Sequence, residues 1–397
     1  MDNYYVDVDY YNVSKDGERI SGDVFLMSRD KESRRIVSAL SDGLGSGVKA
    51  NVLSSLTAHM IQRMSSSTMD LMHSAEIVMN TLPPCKDRNI SYSTFTIADV
   101  HFSGYDDNYL RLIEYDNPKA LLFKGWESEE TTRKSLELKR KNAFKKEVIY
   151  ESNIPLKLND RVVVFTDGVT QSGMGDKDPL GWGMDPLKAF ISKTIKDNPD
   201  ISSRLLSKTI VLEALSRDGG KAKDDITAFV VHLRRPRCTL LVTGAPFSED
   251  SDKILAEKIK EFNGKRIIAG GTTSKIVSRE LSLPLKVDLS TFSKDIPPQS
   301  KIDGIDLVTE GMITLNAVAD ILDEKKSITS LENPTLKKFA RLLLDSDKVH
   351  FIVGTKINES YQDPNLPMEL GIRRTVINRI RKALEENFLK KTSLEYL

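Results

Sequence analysis

The strongest constraint on the fold is a change of grammar near residue 237. Beyond it, short apolar runs and amphipathic runs take turns. "TLLVTG" reads as a strand, "SEDSDKILAEKIKEF" as a helix with acids in its first turn, "KRIIAGG" as a strand and "TTSKIVSRELS" as a helix. The alternation continues through "LKVDLS", "DGIDLVTE", "ITLNAVADILDE", "LKKFARLLLDSD", "VHFIVG" and a long helix from Met368 to Leu389. It predicts a parallel sheet flanked by helices, a Rossmann-like α/β domain over residues 237–397.

Residues 1–236 follow another rule. "ERISGDVFLMSRD" predicts a strand around Asp23, and "RRIVSALSDG" one that ends at Asp42. Val48, Val52, Leu56, Met60 and Met64 recur every four residues, which predicts a helix. A second helix is expected over Met69 to Thr81, stopped by "LPP". "YSTFTIADVHF", "YLRLIEYDN" and "ALLFKG" read as short strands. The charged tract Glu127 to Lys146 reads as an exposed hairpin or loop. "DRVVVFTDGV" reads as a buried strand with a turn at Asp167-Gly168, "ISSRLLSKTIVLEAL" as a helix and "KDDITAFVVHL" as a strand. The expected class is α+β, rich in antiparallel pairs.

A chain of 397 residues exceeds one ordinary core, in keeping with two domains. With 58 Lys and Arg against 57 Asp and Glu, the net charge of +1 argues against a nucleic-acid partner or an acidic lipid surface. Cys85 and Cys238 are too few for a disulfide framework and are expected as free thiols in a reducing cytoplasm. No run approaches the ~20 apolar residues of a membrane span. The five histidines, His59, His73, His101, His232 and His350, are scattered and carry no ligand spacing.

Acids recur where strands begin or end, beside glycine: "SGDVF" (Asp23), "SDGLGSG" (Asp42, Gly43), "FTDGV" (Asp167) and "KDDIT" (Asp224, Asp225). One Asp-Gly pair is an ordinary turn. Four such sites together suggest carboxylates crowded at one sheet edge, which repel and call for cations. An all-oxygen donor set favours Mg²⁺ or Mn²⁺ over Zn²⁺. Two such ions acidify a shared water and neutralise phosphoryl oxygens for in-line attack. "GLGSGVK" lacks the spacing of a phosphate-wrapping Gly-Lys-Ser/Thr loop, and its third glycine comes one residue too early for a dinucleotide fingerprint. The carboxylate reading is the better one, with Ser46 shaping the entry to the next helix.

In order and interval, "ISGDVF", "SDGLGSGVKA", "FTDGV" and "KDDIT" resemble the SpoIIE-like branch of the PPM (protein phosphatase 2C-type) serine/threonine phosphatases. The resemblance covers about residues 10 to 233. It implies an α/β/β/α sandwich of two antiparallel sheets with two Mn²⁺ or Mg²⁺ ions at one edge. By position it assigns catalytic and metal roles to Asp23, Asp42, Asp167 and Asp224, a metal-facing carbonyl to Gly43, and a further metal position to Asp225. It implies a phosphoserine or phosphothreonine protein as substrate, such as an anti-sigma-factor antagonist. Leu44 replaces the usual Met after Asp-Gly. The two helices after Asp42 occupy the place of this branch's regulatory switch. Their methionines (Met60, Met64, Met69, Met72, Met79) read as core or as the contact of a homodimer.

In the second domain, Gly270, Gly271, Thr272, Thr273 and Ser274 lie between a strand and a helix, where amides and hydroxyls can hold an anion. Asp306 and Glu310 add acids nearby. The same residues also suit a tight turn and a helix cap. Two functions follow: a phosphatase regulated by its C-terminal domain, or a catalytically weak phosphatase-fold sensor whose C-terminal domain binds a nucleotide or small anionic metabolite.

Overall fold

The structure is a computed structural model and describes residues 4–30, 34–65, 71–81, 93–102, 107–138, 147–175, 179–326, 328–356, 366–388 and 390–397. Cys85, Met69 and the side chains of Met72 and Met368 lie outside the described residues. The chain divides into two compact units, Met1–Arg235 and Pro236–Leu397.

The first unit runs β1 (Tyr5–Val13), β2 (Asp23–Asp30), β3 (Arg35–Gly43), α1 (Gly47–Ser65), α2 (Leu71–Thr81), β4 (Ser93–His101), β5 (Tyr109–Tyr115), β6 (Leu121–Lys124), β7 (Glu127–Glu129), β8 (Lys134–Leu138), β9 (Glu147–Pro155), β10 (Asp160–Phe165), α3 (Asp167–Thr170), α4 (Met184–Asp197), α5 (Ser203–Arg217) and β11 (Ile226–Arg234). Two antiparallel sheets form, ordered β1-β11-β10-β6-β7 and β2-β3-β4-β5-β9-β8.

Period-two alternation places the layers. On β10, Val162 and Val164 face the cluster between the sheets, with Ile36 and Leu40 of β3 and Phe229 of β11. Val163 and Phe165 face the other way, against Leu187 and Ile191 of α4 and Leu206 and Ile210 of α5. Val37 and Ala39 of β3 turn toward Ala58 and Ile61 of α1 and Val78 of α2. The order is helix, sheet, sheet, helix, as expected from the sequence. Each fully buried aliphatic side chain contributes about 1.5–3 kcal/mol.

Three local readings change. The described part of the tract from Glu127 does not pair with itself: β7 pairs with β6 in one sheet and β8 with β9 in the other, and residues 139–146 lie outside the described residues. The turn at Asp167-Gly168 is the one-turn helix α3. The first half of the four-residue stripe on α1 faces outward, with Val48, Val52 and Leu56 65%, 57% and 48% exposed, while Met60 and Met64 pack against the core as expected. The helix buries its small residues Ala50, Ser54, Thr57 and Ala58 instead. It lies so close to β3 that a Cβ on Gly43 would stand 2.1 Å from the Ala50 carbonyl oxygen.

The second unit runs β12 (Cys238–Thr243), α6 (Glu249–Glu261), β13 (Lys265–Ala269), α7 (Gly271–Leu281), β14 (Lys286–Asp288), β15 (Gln299–Lys301), β16 (Leu307–Thr309), α8 (Met312–Asp323), α9 (Pro334–Leu344), β17 (Lys348–Val353), α10 (Leu366–Phe388) and β18 (Lys391–Tyr396). β16-β13-β12-β17-β18 are parallel, and the short β14 and β15 add an antiparallel edge. Helices cover both faces: α6 and α7 pack on one, α8, α9 and α10 on the other. Among the described residues, no helix is long and apolar enough to cross a membrane.

Candidate active site

The predicted acids come from both sheets and meet at one end of the sandwich. In the β2–β3 ladder, Asp23 stands directly opposite Asp42. Asp167 opens α3, immediately after β10. Asp224 and Asp225 precede β11, the neighbour of β10. Asp42, Asp167 and Asp224 line a cleft of about 850 Å³, with Gly43 in its wall. Asp23 is buried, 4% exposed.

Hydrogen bonds fix these groups unequally. The Thr166 hydroxyl donates to Asp23 Oδ2 at 2.9 Å and accepts the Thr227 amide at 3.1 Å. Asp23 Oδ1 is buried with no hydrogen-bond partner. Gln171 Nε2 donates to Asp167 Oδ2 at 2.8 Å. Asp225 is held at both oxygens, its Oδ1 accepting the Lys15 amide and its Oδ2 the Gly22 amide, both at 3.0 Å. It thereby clamps the segment that leads into β2.

Mutual repulsion marks the cluster. Burial pushes the Asp42 carboxyl up to about 9, and Asp23, Asp167, Asp224 and Asp225 add to the rise. Burial raises Asp23 to about 7 against the pull of the Thr227 and Thr166 hydroxyls, with Asp225 and Asp167 adding to the rise. Asp167 is raised by burial and then by Asp224. The donors are all oxygen, and one buried carboxylate oxygen lacks a partner, so the residues fit a hard divalent cation. Among the described residues, no three His, Cys, Asp or Glu side chains already enclose an ion-sized point. The acids share a field and a cleft without a closed coordination shell.

The cleft also holds residues that sequence reasoning missed. Lys15, Thr94, Asn117, Arg133 and Tyr150 line it. Thr94 Oγ1 donates to Asn117 Oδ1 at 2.6 Å, and Asn117 Nδ2 donates to Thr96 Oγ1 at 3.1 Å. No local pattern flags these residues: Thr94 enters beside Asp42 from β4, Lys15 from the segment after β1, and the pairing of β5, β8 and β9 brings in the others. In the second unit, Gly270 to Ser274 turn from β13 into α7. The Ser274 hydroxyl donates to the Gly271 carbonyl at 2.9 Å, Thr273 is buried, and Gly271 and Thr272 are exposed. Asp306 accepts from Lys265 Nζ and from the Arg266 amide, each at 2.9 Å.

A sequence model of the family described as Stage II sporulation protein E (SpoIIE) matches residues 32–234, just over half of the chain. The chain belongs to the SpoIIE family. Four of the SpoIIE-family acids, Asp42, Asp167, Asp224 and Asp225, fall inside that match, and Asp23 lies ahead of it. Stage II sporulation protein E of Bacillus subtilis (strain 168) is 22% identical over 230 residues, 58% of this chain. The alignment spans 26% of that relative's length. Among solved structures, the PP2C phosphatase domain with a regulatory-domain fragment of SpoIIE from Bacillus subtilis aligns with a TM-score of 0.48 and 19% identity, over 58% of this chain and 63% of that one. RsbX in complex with magnesium aligns with a TM-score of 0.41 and 19% identity, over 57% and 95%. Residues 237–397 of this SpoIIE-family chain lie beyond the family match.

Proposed function

We propose that the chain is a metal-dependent protein-serine/threonine phosphatase. The observation that carries this reading is the meeting of Asp42, Asp167 and Asp224, from two sheets, at one cleft, with Asp23 buried opposite Asp42. Asp23, Asp42, Asp167 and Asp224 are the side chains offered to two Mn²⁺ or Mg²⁺ ions, with the Gly43 carbonyl beside them; Asp225 holds the loop that leads to Asp23. Bound there, such ions supply an acidified water and positive charge for phosphoryl oxygens. The chain does the rest. Thr166 orients Asp23 and Gln171 orients Asp167. The open cleft admits a phosphorylated side chain on a protein surface. The substrate class is a phosphoserine or phosphothreonine regulatory protein of the bacterial anti-sigma-factor-antagonist kind, in the cytoplasm. Residues 237–397 form a regulatory or ligand-binding domain, with Gly270, Gly271, Thr272, Thr273 and Ser274 as its anion-facing turn.

The rival reading, a weak phosphatase-fold sensor, draws on the open arrangement of the acids. Hydrolysis of p-nitrophenyl phosphate and of a phosphoserine peptide by the full chain, with Mn²⁺ and with Mg²⁺, separates the two. Turnover that a chelator abolishes is the expected result. No turnover with either ion would leave the sensor reading in place.

A further inference from the structure

Two cations line the acid-rich cleft among the described residues, Lys15 and Arg133. They are held differently. Lys15 is tied through its backbone amide to Asp225, and its ammonium rides a flexible stem. Arg133 is fixed through its head group. Its Nε donates to Glu114 Oε2 at 2.8 Å, and its Nη2 lies 2.7 Å from the same oxygen. Glu114 is 2% exposed, and its other oxygen accepts the Ala120 amide at 2.8 Å. The Arg133 Cζ stands 4.6 Å from the centroid of the Tyr150 ring, and Tyr150 lines the same cleft.

We infer that Arg133 is a subsite for an oxyanion of the substrate. The inference rests on the phosphatase reading above. A buried carboxylate locks one edge of the guanidinium, and a ring fixes its plane. The Nη1 edge has no partner among the described residues. A planar fork held in this way loses little freedom when it accepts a second oxyanion. Its charge also matters in a cleft whose aspartates repel any anion that approaches. Glu114 is then a positioning residue and Arg133 the group that touches substrate. Two sources supply such an oxyanion: the phosphoryl group itself, or a carboxylate beside the phosphorylated residue.

The test uses the full chain with Mn²⁺. Arg133→Met alone strands the buried Glu114 charge, so the variants are Arg133→Lys, Glu114→Gln and the pair Glu114→Gln/Arg133→Met, each first checked for a cooperative melt. Substrates are p-nitrophenyl phosphate and two phosphoserine peptides, flanked by Asp or by Ala. The double variant is expected to raise KM roughly 10- to 100-fold with kcat little changed. Glu114→Gln should give an intermediate rise and Arg133→Lys only partial rescue. A rise for all three substrates assigns the phosphoryl group, and a rise for the Asp-flanked peptide alone assigns the carboxylate. Calorimetric binding of a phosphonate peptide that cannot be hydrolysed reads the subsite without turnover. Arg133-dependent binding without hydrolysis would sink the phosphatase reading and keep the subsite. Hydrolysis and binding both indifferent to Arg133 would overturn the subsite and leave the phosphatase reading standing.

Discussion

Asp23 faces Asp42 across the last rung of the β2–β3 ladder, two carboxylates in direct register. Like charges at opposed positions weaken a sheet. Here Asp23 is buried and Asp42 half-buried, and desolvation with neighbouring acids drives both toward the protonated form. The site is built at a local expense of stability.

The first consequence concerns pH. Both carboxyls are raised in the folded state above the ordinary range near 4. The folded protein therefore binds more protons than the unfolded chain between that range and about 9. The stability they contribute is fully present below pH 4 and is lost as pH rises through about 7 and about 9. Chelator-treated protein should melt roughly 5 °C or more lower at pH 8.5 than at pH 5.5. Mn²⁺ should recover most of the difference. Differential scanning calorimetry across that range checks it, and a flat or rising profile in chelator would contradict the shifts.

Replacing one of the opposed acids should uncouple stability from chemistry. Asp42→Asn keeps the shape and removes the charge facing Asp23. Phosphoester turnover should fall at least ~100-fold, while the chelated protein gains about 1 kcal/mol. Asp167→Asn should do the same. Thermal melts beside Mn²⁺-dependent kinetics decide the matter. Full turnover in either variant would remove these aspartates from the chemistry.

Asp225 should behave differently, because both its oxygens already hold backbone amides. Asp225→Ala leaves the Lys15 and Gly22 N–H groups without their acceptors. The cost is about 2–4 kcal/mol, and Asp225→Asn, which keeps one acceptor oxygen, should cost less. Hydrogen exchange at Lys15 and Gly22 is the readout. Unchanged protection in Asp225→Ala would refute the clamp.

Gly43 separates β3 from α1 at a distance that only hydrogen fits. Gly43→Ala puts a methyl 2.1 Å from the Ala50 carbonyl oxygen and must push the helix away. A loss of about 3 kcal/mol or more is expected. Gly271→Ala is the control, since nothing lies within 4 Å of its new Cβ. Its effect should stay within about 1 kcal/mol of zero. Equal effects in the two variants would show that backbone freedom, and not contact, sets the need for glycine at 43.

What could be read in the sequence depended on whether the signal was local. The acids were legible because each ends or begins a strand that periodicity reveals. The layer order came with the family resemblance; the unbroken apolar run from Val162 to Phe165 by itself demands only burial on both faces of that strand. Arg133 was not legible: it lies in a charged tract, and only the pairing of β8 with β9 sets it over Tyr150. The orientation of α1 misled for a related reason. Val48, Val52 and Leu56 carry the apolar spacing, yet close approach to β3 requires small side chains on the buried face. Hydrophobic periodicity reports what water disfavours, not how near two backbones must come.

The Thr166 hydroxyl, which touches Asp23 of one sheet while it receives the Thr227 amide of the other, works as a dowel through both layers. The spacing of the clustered aspartates in such a design is inherited from sheet-to-sheet registration. Loosening the hydrophobic layer between the sheets should blur that alignment while secondary structure is still intact, so catalytic output becomes a more sensitive gauge of core packing than circular dichroism.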